Sequence, residues 1–185
     1  IFPDSVMKVT GDAKELAIFN NIFHDFALTA NIAGTELTAD LKSSSLDFLK
    51  QSNLKDFHVS LDTKPDSFNF AINWDNKTEI LNYGSFIARG AYIRDNKEIR
   101  NAKLKIEIDS SDIYNRNSLW KISSSIVTVD SNAVQFDKFH IGSSDYFYRI
   151  NGSVSNDPDD TLNLEFKGID ISPLNSFIEK KRDKE

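Results

Sequence analysis

The sequence predicts an all-β fold: a mostly antiparallel sheet with one or two short helices. Two observations carry this prediction. Apolar and polar residues alternate strictly along most of the chain, and clusters of Asn, Asp, Gly and Pro separate the alternating runs. Successive side chains of a strand point to opposite faces, so a period of two means one dry face and one wet face. Parallel sheets buried on both faces read instead as continuous apolar runs.

The elements follow in chain order. Phe26, Leu28, Ala30 and Ile32 alternate with Asp25, Thr29 and Asn31, and Ala33-Gly34-Thr35 turns the chain. Leu37, Ala39 and Leu41 form the next run, and Phe57, Val59 and Leu61 another. Thr63-Lys64-Pro65-Asp66 then leads to Phe68, Phe70, Ile72 and Trp74, which Asp75-Asn76-Lys77 ends. After Asp95-Asn96-Lys97 come Leu104, Ile106 and Ile108. Beyond Asp130-Ser131-Asn132 stand Tyr148, Ile150, Gly152 and Val154, then Asn156 to Asp160, then Leu162, Leu164 and Phe166. Asn and Asp tolerate left-handed backbone and close their own turns, so these clusters read as hairpin connections. The spacing gives about eleven strands in a meander. Ser44 or Ser45 is the expected cap of a short helix through Leu46, Phe48, Leu49 and Gln51. Ser172-Pro173 is the expected start of a second, with Leu174, Phe177 and Ile178 on one face and a frayed charged tail to residue 185. No linker or low-complexity stretch interrupts residues 1–185, so a single domain is expected. The opening at Ile1, without Met or a signal peptide, reads as a piece excised from a larger chain.

This pattern poses a packing problem. Strands with one apolar face make a large dry surface that two short helices cannot cover, so the sheet must fold against itself. A closed sandwich would interdigitate two inner faces. A half-pipe would leave the inner face lining a lengthwise groove. The alternation allows both.

Composition narrows the chemistry. Lys+Arg number 22 against Asp+Glu 28, a net charge of -6, and the isoelectric point near 5.1 argues against a nucleic-acid partner. The absence of Cys removes disulfides, thiolate nucleophiles and Cys-based metal sites. His24, His58 and His140 lie far apart, with no HxH or HExxH spacing, and read as surface or strand-edge residues. His58 and His140 follow core-facing Phe57 and Phe139 and should face outward. Asn156, Asp157, Asp159 and Asp160 form the densest acidic cluster, but not with EF-hand spacing, so they read as a solvated turn. No P-loop, GxGxxG or GxSxG motif occurs. Neither a catalytic residue nor a cofactor or metal site is expected. Among the aromatic residues, Trp74 shares the register of Phe70 and Ile72 and should face inward. Phe147 is out of register with Ile150 and is the best candidate for an exposed ring.

The C-terminal third carries a resemblance. Leu119-Trp120-Lys121-Ile122 leads through a Ser-rich strand to Ile126, Val127 and Val129. Tyr148-Arg149-Ile150-Asn151-Gly152-Ser153-Val154, Leu162-Asn163-Leu164 and Ile169-Asp170-Ile171-Ser172-Pro173-Leu174 follow. This order resembles the repetitive middle of TamB-like (AsmA-related) envelope proteins of the Bacteroidota. The resemblance covers about the last 60 residues; residues 1–118 share the alternation without a sharp motif. It implies a large parent anchored in the inner membrane and crossing the periplasm, with an apolar β-groove and no catalytic residues. It also implies phospholipid or other acyl-chain cargo, and a TamA- or BamA-like barrel partner in the outer membrane, met through parts absent here.

The expectation is therefore a curved, mostly antiparallel sheet folded into a groove (a β-taco or half-pipe) that conducts phospholipid or assists outer-membrane protein assembly. Its wall residues are Phe26, Leu28, Ile32, Phe57, Leu61, Phe68, Phe70, Ile72, Trp74, Leu104, Ile106, Ile108, Phe136, Ile150, Leu162, Leu164 and Phe166. The rival expectation is a surface β-sandwich for binding or adhesion, with carbohydrate as its ligand class.

Overall fold

The computed structural model describes residues 6–48, 52–76, 82–94, 102–115 and 118–168. They form one antiparallel sheet of 13 strands. The strands are β1 (Val6–Ile18), β2 (Asn21–Ala33), β3 (Glu36–Phe48), β4 (Ser52–Lys64), β5 (Ser67–Asp75), β6 (Asn82–Arg94) and β7 (Ala102–Ile108). They continue as β8 (Ser111–Asn115), β9 (Ser118–Ile122), β10 (Ser125–Val129), β11 (Ala133–Gly142), β12 (Phe147–Ser155) and β13 (Leu162–Lys167).

The order is a meander. β1 to β7 lie side by side, followed by β10, β11, β12 and β13, while β8 pairs with β6 and β9, and β9 with β11. The β7–β10 and β8–β9 ladders keep one common register, from Leu104↔Val129 through Ile108↔Ser125 to Ser111↔Ile122 and Asn115↔Ser118. They are one long hairpin interrupted at Asp109-Ser110 and Ser123-Ser124. Among the described residues there are thus 13 strands where about eleven are expected; eleven lie on the main path, and the two others come from the interruption of this hairpin.

The expected turns at Ala33-Gly34-Thr35, Thr63 to Asp66, Asp130 to Asn132 and Asn156 to Asp160 link consecutive strands, while Asp95-Asn96-Lys97 and Lys77 lie outside the described residues. Gly34 adopts φ 59 between β2 and β3, a left-handed conformation that costs Gly little. Asp130 accepts hydrogen bonds from the backbone N–H groups of Asn132 and Ala133, each 2.8 Å, which closes the β10–β11 turn. Those two bonds hold the Asp130 carboxyl below its ordinary range. In the acidic cluster, the Asp157 carboxylate accepts from the Asp159 N–H at 3.0 Å, so it serves its own turn.

The helix expected from Ser44 or Ser45 is replaced by strand. Ser44 to Phe48 continue β3 and pair with β4 through Ser45↔Lys55, Leu46↔Leu54 and Phe48↔Ser52. Leu49 and Gln51 lie outside the described residues, as does the expected C-terminal helix within 172–185. The reason for the difference is a slip in phase. In several strands the inward positions step by three instead of two: Phe23 to Phe26, Ser43 to Leu46 and Leu54 to Phe57. The rings of Phe23 and Phe26 meet edge-on at 6.0 Å, and Phe23 meets Phe57 at the same distance, which puts them on one face. Ladder pairing breaks at these steps, and Asp25 (φ 48) and Asp56 (φ 47) hold left-handed backbone there. β11 repeats the device: Lys138 (φ 55) lies between inward Phe136 and Phe139, where the β11–β12 register shifts. Extra residues of this kind bend a strand and raise its twist. A step of three in an apolar run also imitates helical spacing.

The buried core is small. Among the described residues the buried hydrophobics are Leu46, Phe57, Ala88, Ile108 and Ile122, and no large side chain is completely enclosed. Phe86, Ile106, Ile113, Val127, Phe139 and Ile141 pack around Ala88, Ile108 and Ile122 while staying partly exposed. In a sandwich with mated layers the inner rows are packed to interior density on every side. Here the strands contact chiefly their hydrogen-bonded neighbours.

Candidate functional site

Pairing carries the apolar residues across the sheet in rows. One row runs Ile32↔Leu37↔Thr63↔Phe68↔Gly90↔Ile106↔Val127↔Phe136↔Gly152↔Leu162. The next runs Ala39↔Leu61↔Phe70↔Ala88↔Ile108. Leu28, Leu41, Val59, Ile72 and Phe86 form a third. Every expected wall residue lies in a strand of this one sheet. Leu104 pairs with Val129, and Ile150 pairs with Phe139 and Leu164. Phe57 and Ile108 are buried, while Phe26, Leu28, Ile32, Leu61, Phe68, Phe70, Ile72, Trp74, Leu104, Ile106, Phe136, Ile150 and Leu162 are partly buried. Leu164 and Phe166, on the last strand, are 52% and 50% exposed.

Large side chains face small ones along β6. A Cβ on Gly90 would stand 2.0 Å from Phe68 Cε1, and one on Gly84 would stand 2.4 Å from Trp74 Cζ2. The two rings therefore lie flat over bare backbone, an arrangement that only glycine admits. The Trp74 indole N–H donates to Asn82 Oδ1 at 3.0 Å, which satisfies its polar end. Trp74 is inward, as its register predicts.

Beside Trp74 the apolar face holds a concavity of about 420 Å³, lined by Leu46, Phe48, Ser52, Leu54, Phe57, Ile72, Trp74, Asn82, Ile113 and Asn115. Of these, only Phe57, Ile72 and Trp74 are among the expected wall residues. Ile113 was missed because it follows the interruption at Asp109-Ser110, and Leu46, Phe48 and Leu54 because phase slips part them from the alternating runs. The signal that could have found them is the spacing of three between apolar residues flanking a polar pair, as in Leu54 to Phe57. One wall is stitched by side chains: Asn76 Oδ1 accepts from the Lys55 N–H at 2.7 Å, and Asn76 Nδ2 donates to the Asn53 carbonyl at 3.0 Å. The amide of Asn76 thereby continues the β4–β5 ladder where backbone pairing has stopped.

The charged groups occupy the opposite face. His24 Nε2 meets Asp47 at 3.0 Å and His58 Nε2 meets Asp40 at 2.6 Å, both from a neighbouring strand. The carboxylates that local sequence did not supply are thus brought in by pairing. The hydrogen bond to Asp47 raises the His24 pKa, and the same bond, with one from Asn53, lowers that of Asp47. Lys105 similarly holds the Glu107 carboxyl low. Ser123 Oγ lies 3.2 Å from His140 Nδ1, and the ring centres of His140 and Phe147 are 5.8 Å apart. Apart from Lys105 and Glu107, which are neighbours on β7, these contacts join different strands or the segments between them on the outer face. Among the described residues no group of three or more His, Asp or Glu could hold a metal ion.

Phe147 departs from expectation. It is on the outer face, but it is partly buried between His140 and the Arg149 guanidinium, whose Cζ stands 5.0 Å from the ring centre. Arg149 is held there by Glu165 at 2.5 Å. The exposed aromatic rings nearby are Tyr146, Tyr148 and Phe166.

A polar depression of about 930 Å³ also opens where Ser110 and Ser123-Ser124 interrupt the long hairpin, with Asn73, Tyr83, Ser85, Asp112 and Lys121 around it.

Comparisons with protein-family models, curated proteins and solved structures find no match to this chain.

Proposed function

We propose that the chain is a non-enzymatic segment of a periplasm-spanning envelope protein, in which the apolar face of the sheet is a groove for acyl chains. The cargo is phospholipid or a molecule with similar chains. The groove passes it toward the outer membrane or shields apolar segments during assembly of outer-membrane proteins, with a TamA- or BamA-like barrel as partner.

One observation supports this reading most: a long apolar face that is contiguous yet unsealed. Fully burying a large aliphatic or aromatic side chain contributes about 1.5–3 kcal/mol. A sheet that leaves most of its apolar rows partly exposed forgoes much of that contribution, and an acyl chain laid along Leu61, Phe70 and Ile72 would restore it. The 420 Å³ concavity beside Trp74 supports it too, as its lining is mostly aliphatic and aromatic. Confinement of the charged pairs to the other face leaves the groove free of desolvated charge. The phase slips bend several adjacent strands, which suits a curved wall. The envelope setting rests on the resemblance of the C-terminal third.

Native mass spectrometry of the purified chain tests the proposal. The expected spectrum carries phospholipid adducts that Phe70→Asp removes while the circular dichroism of a β-sheet persists. A wild-type chain that carries no lipid and takes none from added phospholipid would overturn it, as would adducts that Phe70→Asp leaves unchanged.

A further inference from the structure

We propose that the polar depression on the outer face binds a glycan through an N-acetylated hexose unit. The depression, about 930 Å³, lies where two ladders lapse at the same level. β6 pairs with β7 as far as Ala88↔Ile108 and with β8 from Gly84↔Ile113, and the β7–β10 ladder ends at Ser125 while the β8–β9 ladder begins at Ile122. The Asp109 N–H spans part of the first gap by donating to the Ile87 carbonyl at 3.0 Å. Asn73, Tyr83, Ser85, Asp112 and Lys121 line the depression. Each is next in sequence to an inward residue (Trp74, Gly84, Phe86, Ile113 or Ile122), so the opening faces away from the apolar groove.

The lining discriminates among ligand classes. Asp56, Asp75 and Asp112 stand around it against Lys121, which disfavours phosphate and other anions. Asp112 and Lys121 are directly opposite on β8 and β9 and both are exposed, yet no ion pair among the described residues joins them. Opposed residues of a ladder have Cβ atoms about 4.5–5.5 Å apart. The carboxylate is therefore placed to accept the N–H, and the ammonium to donate to the C=O, of one acetamido group lying between them. The rest of the lining favours a sugar as the carrier of that group. Ser85, Ser110, Ser123 and Ser124 present hydroxyls, which donate and accept as sugar hydroxyls do. The Tyr83 ring, held against Tyr114 at 4.8 Å, supplies apolar surface for the C–H face of a pyranose. A polypeptide strand would need an open run of ladder, whereas β6 lacks partners on this side only between Gly84 and Ala88.

Amide NMR titrations of the full chain, in the absence of lipid, test this apart from the groove. The probe is chitotetraose, whose rings each carry an acetamido group, and the control is cellotetraose, which has hydroxyls there. Chitotetraose is expected to produce saturable shifts at Ser85, Ser110 to Asp112 and Lys121 to Ser124, and none at Asp62, which is exposed on the outer strand face elsewhere. Cellotetraose should bind about tenfold more weakly, and Asp112→Ala and Lys121→Ala should each weaken chitotetraose by about tenfold while circular dichroism stays that of the wild type. No saturable shift with chitotetraose, equal affinity for the two sugars, or affinity that neither substitution changes would each overturn the proposal. So would equal binding at these residues by the peptide acetyl-Gly-Ser-Gly-Ser-amide, which would make the depression a reader of polypeptide amides.

Discussion

Replacing Leu61 with Asp sets a carboxylate in the middle of the apolar face, between Ala39 of β3 and Phe70 of β5. If that face is open, the new charge reaches water and the cost is limited to lost burial and strand preference. A fully buried Leu contributes about 1.5–3 kcal/mol, and Leu61 is only partly buried, so about 1–2 kcal/mol is lost. Asp in place of a good strand former adds up to about 1 kcal/mol. The sum, about 1–3 kcal/mol, is less than the 5–15 kcal/mol by which domains are commonly stable. Leu61→Asp should therefore fold at pH 7, with a lower urea midpoint and an unchanged m-value. Ile108→Asp is the contrast. Ile108 is 7% exposed and packs against Ala88 and Ile122, so a charge there is cut off from water. That variant should not fold at pH 7. Failure of Leu61→Asp to fold under the same conditions would refute the reasoning, because it would mean that Leu61 is sealed beneath a second layer.

Three further outcomes are expected. Gly90→Ala should lower stability by about 1–3 kcal/mol in urea titrations, because its Cβ would drive the Phe68 ring off the β6 backbone; a neutral result would mean the ring has room to move. The His24 pKa, followed by NMR, should lie above its ordinary value of 6.5 and fall toward it in Asp47→Asn. Because the folded-state pKa is raised, the contact stabilises fully below pH 6.5 and its contribution fades as pH rises through the folded value, whereas the Asp47 contribution, with its pKa lowered, fades as pH falls from 3.8; stability that does not move across the upper window would argue against the contact. Asn76→Ala should open the seam between β4 and β5, seen as faster amide exchange at Lys55, whose N–H it binds, with little change at Phe70.

The sheet and most of its turns were legible because alternation is a local property. Phe68, Phe70, Ile72 and Trp74 announce one face without knowledge of their neighbours, and Asp130 closes its turn with bonds to residues two and three positions on. What was not legible depends on pairing. Leu46 and Phe48 followed Ser43 by a step that looks helical, and only the ladder with Ser52 to Lys55 shows them to be strand. The partners of His24 and His58 lie 23 and 18 residues away, so no local reading could supply Asp47 or Asp40. Phe147 faces outward as its phase requires, but its burial comes from His140, a residue of the adjoining strand, and from Arg149 folded back by Glu165. The concavity at Trp74 combines β3, β4, β5, β6 and β8, and four of its seven apolar lining residues, Leu46, Phe48, Leu54 and Ile113, stand outside the expected wall.

Quenching of Trp74 fluorescence by phospholipids brominated along the acyl chain tests the central claim most directly. The chain has 2 Trp, so Trp120→Phe leaves Trp74 as the single reporter, on the wall of the concavity. An acyl chain lying in the groove brings bromine against the indole, and quenching should saturate with added lipid and vanish in Phe70→Asp. Trp74 emission that brominated lipid leaves unchanged, in a chain that remains folded, would contradict the account.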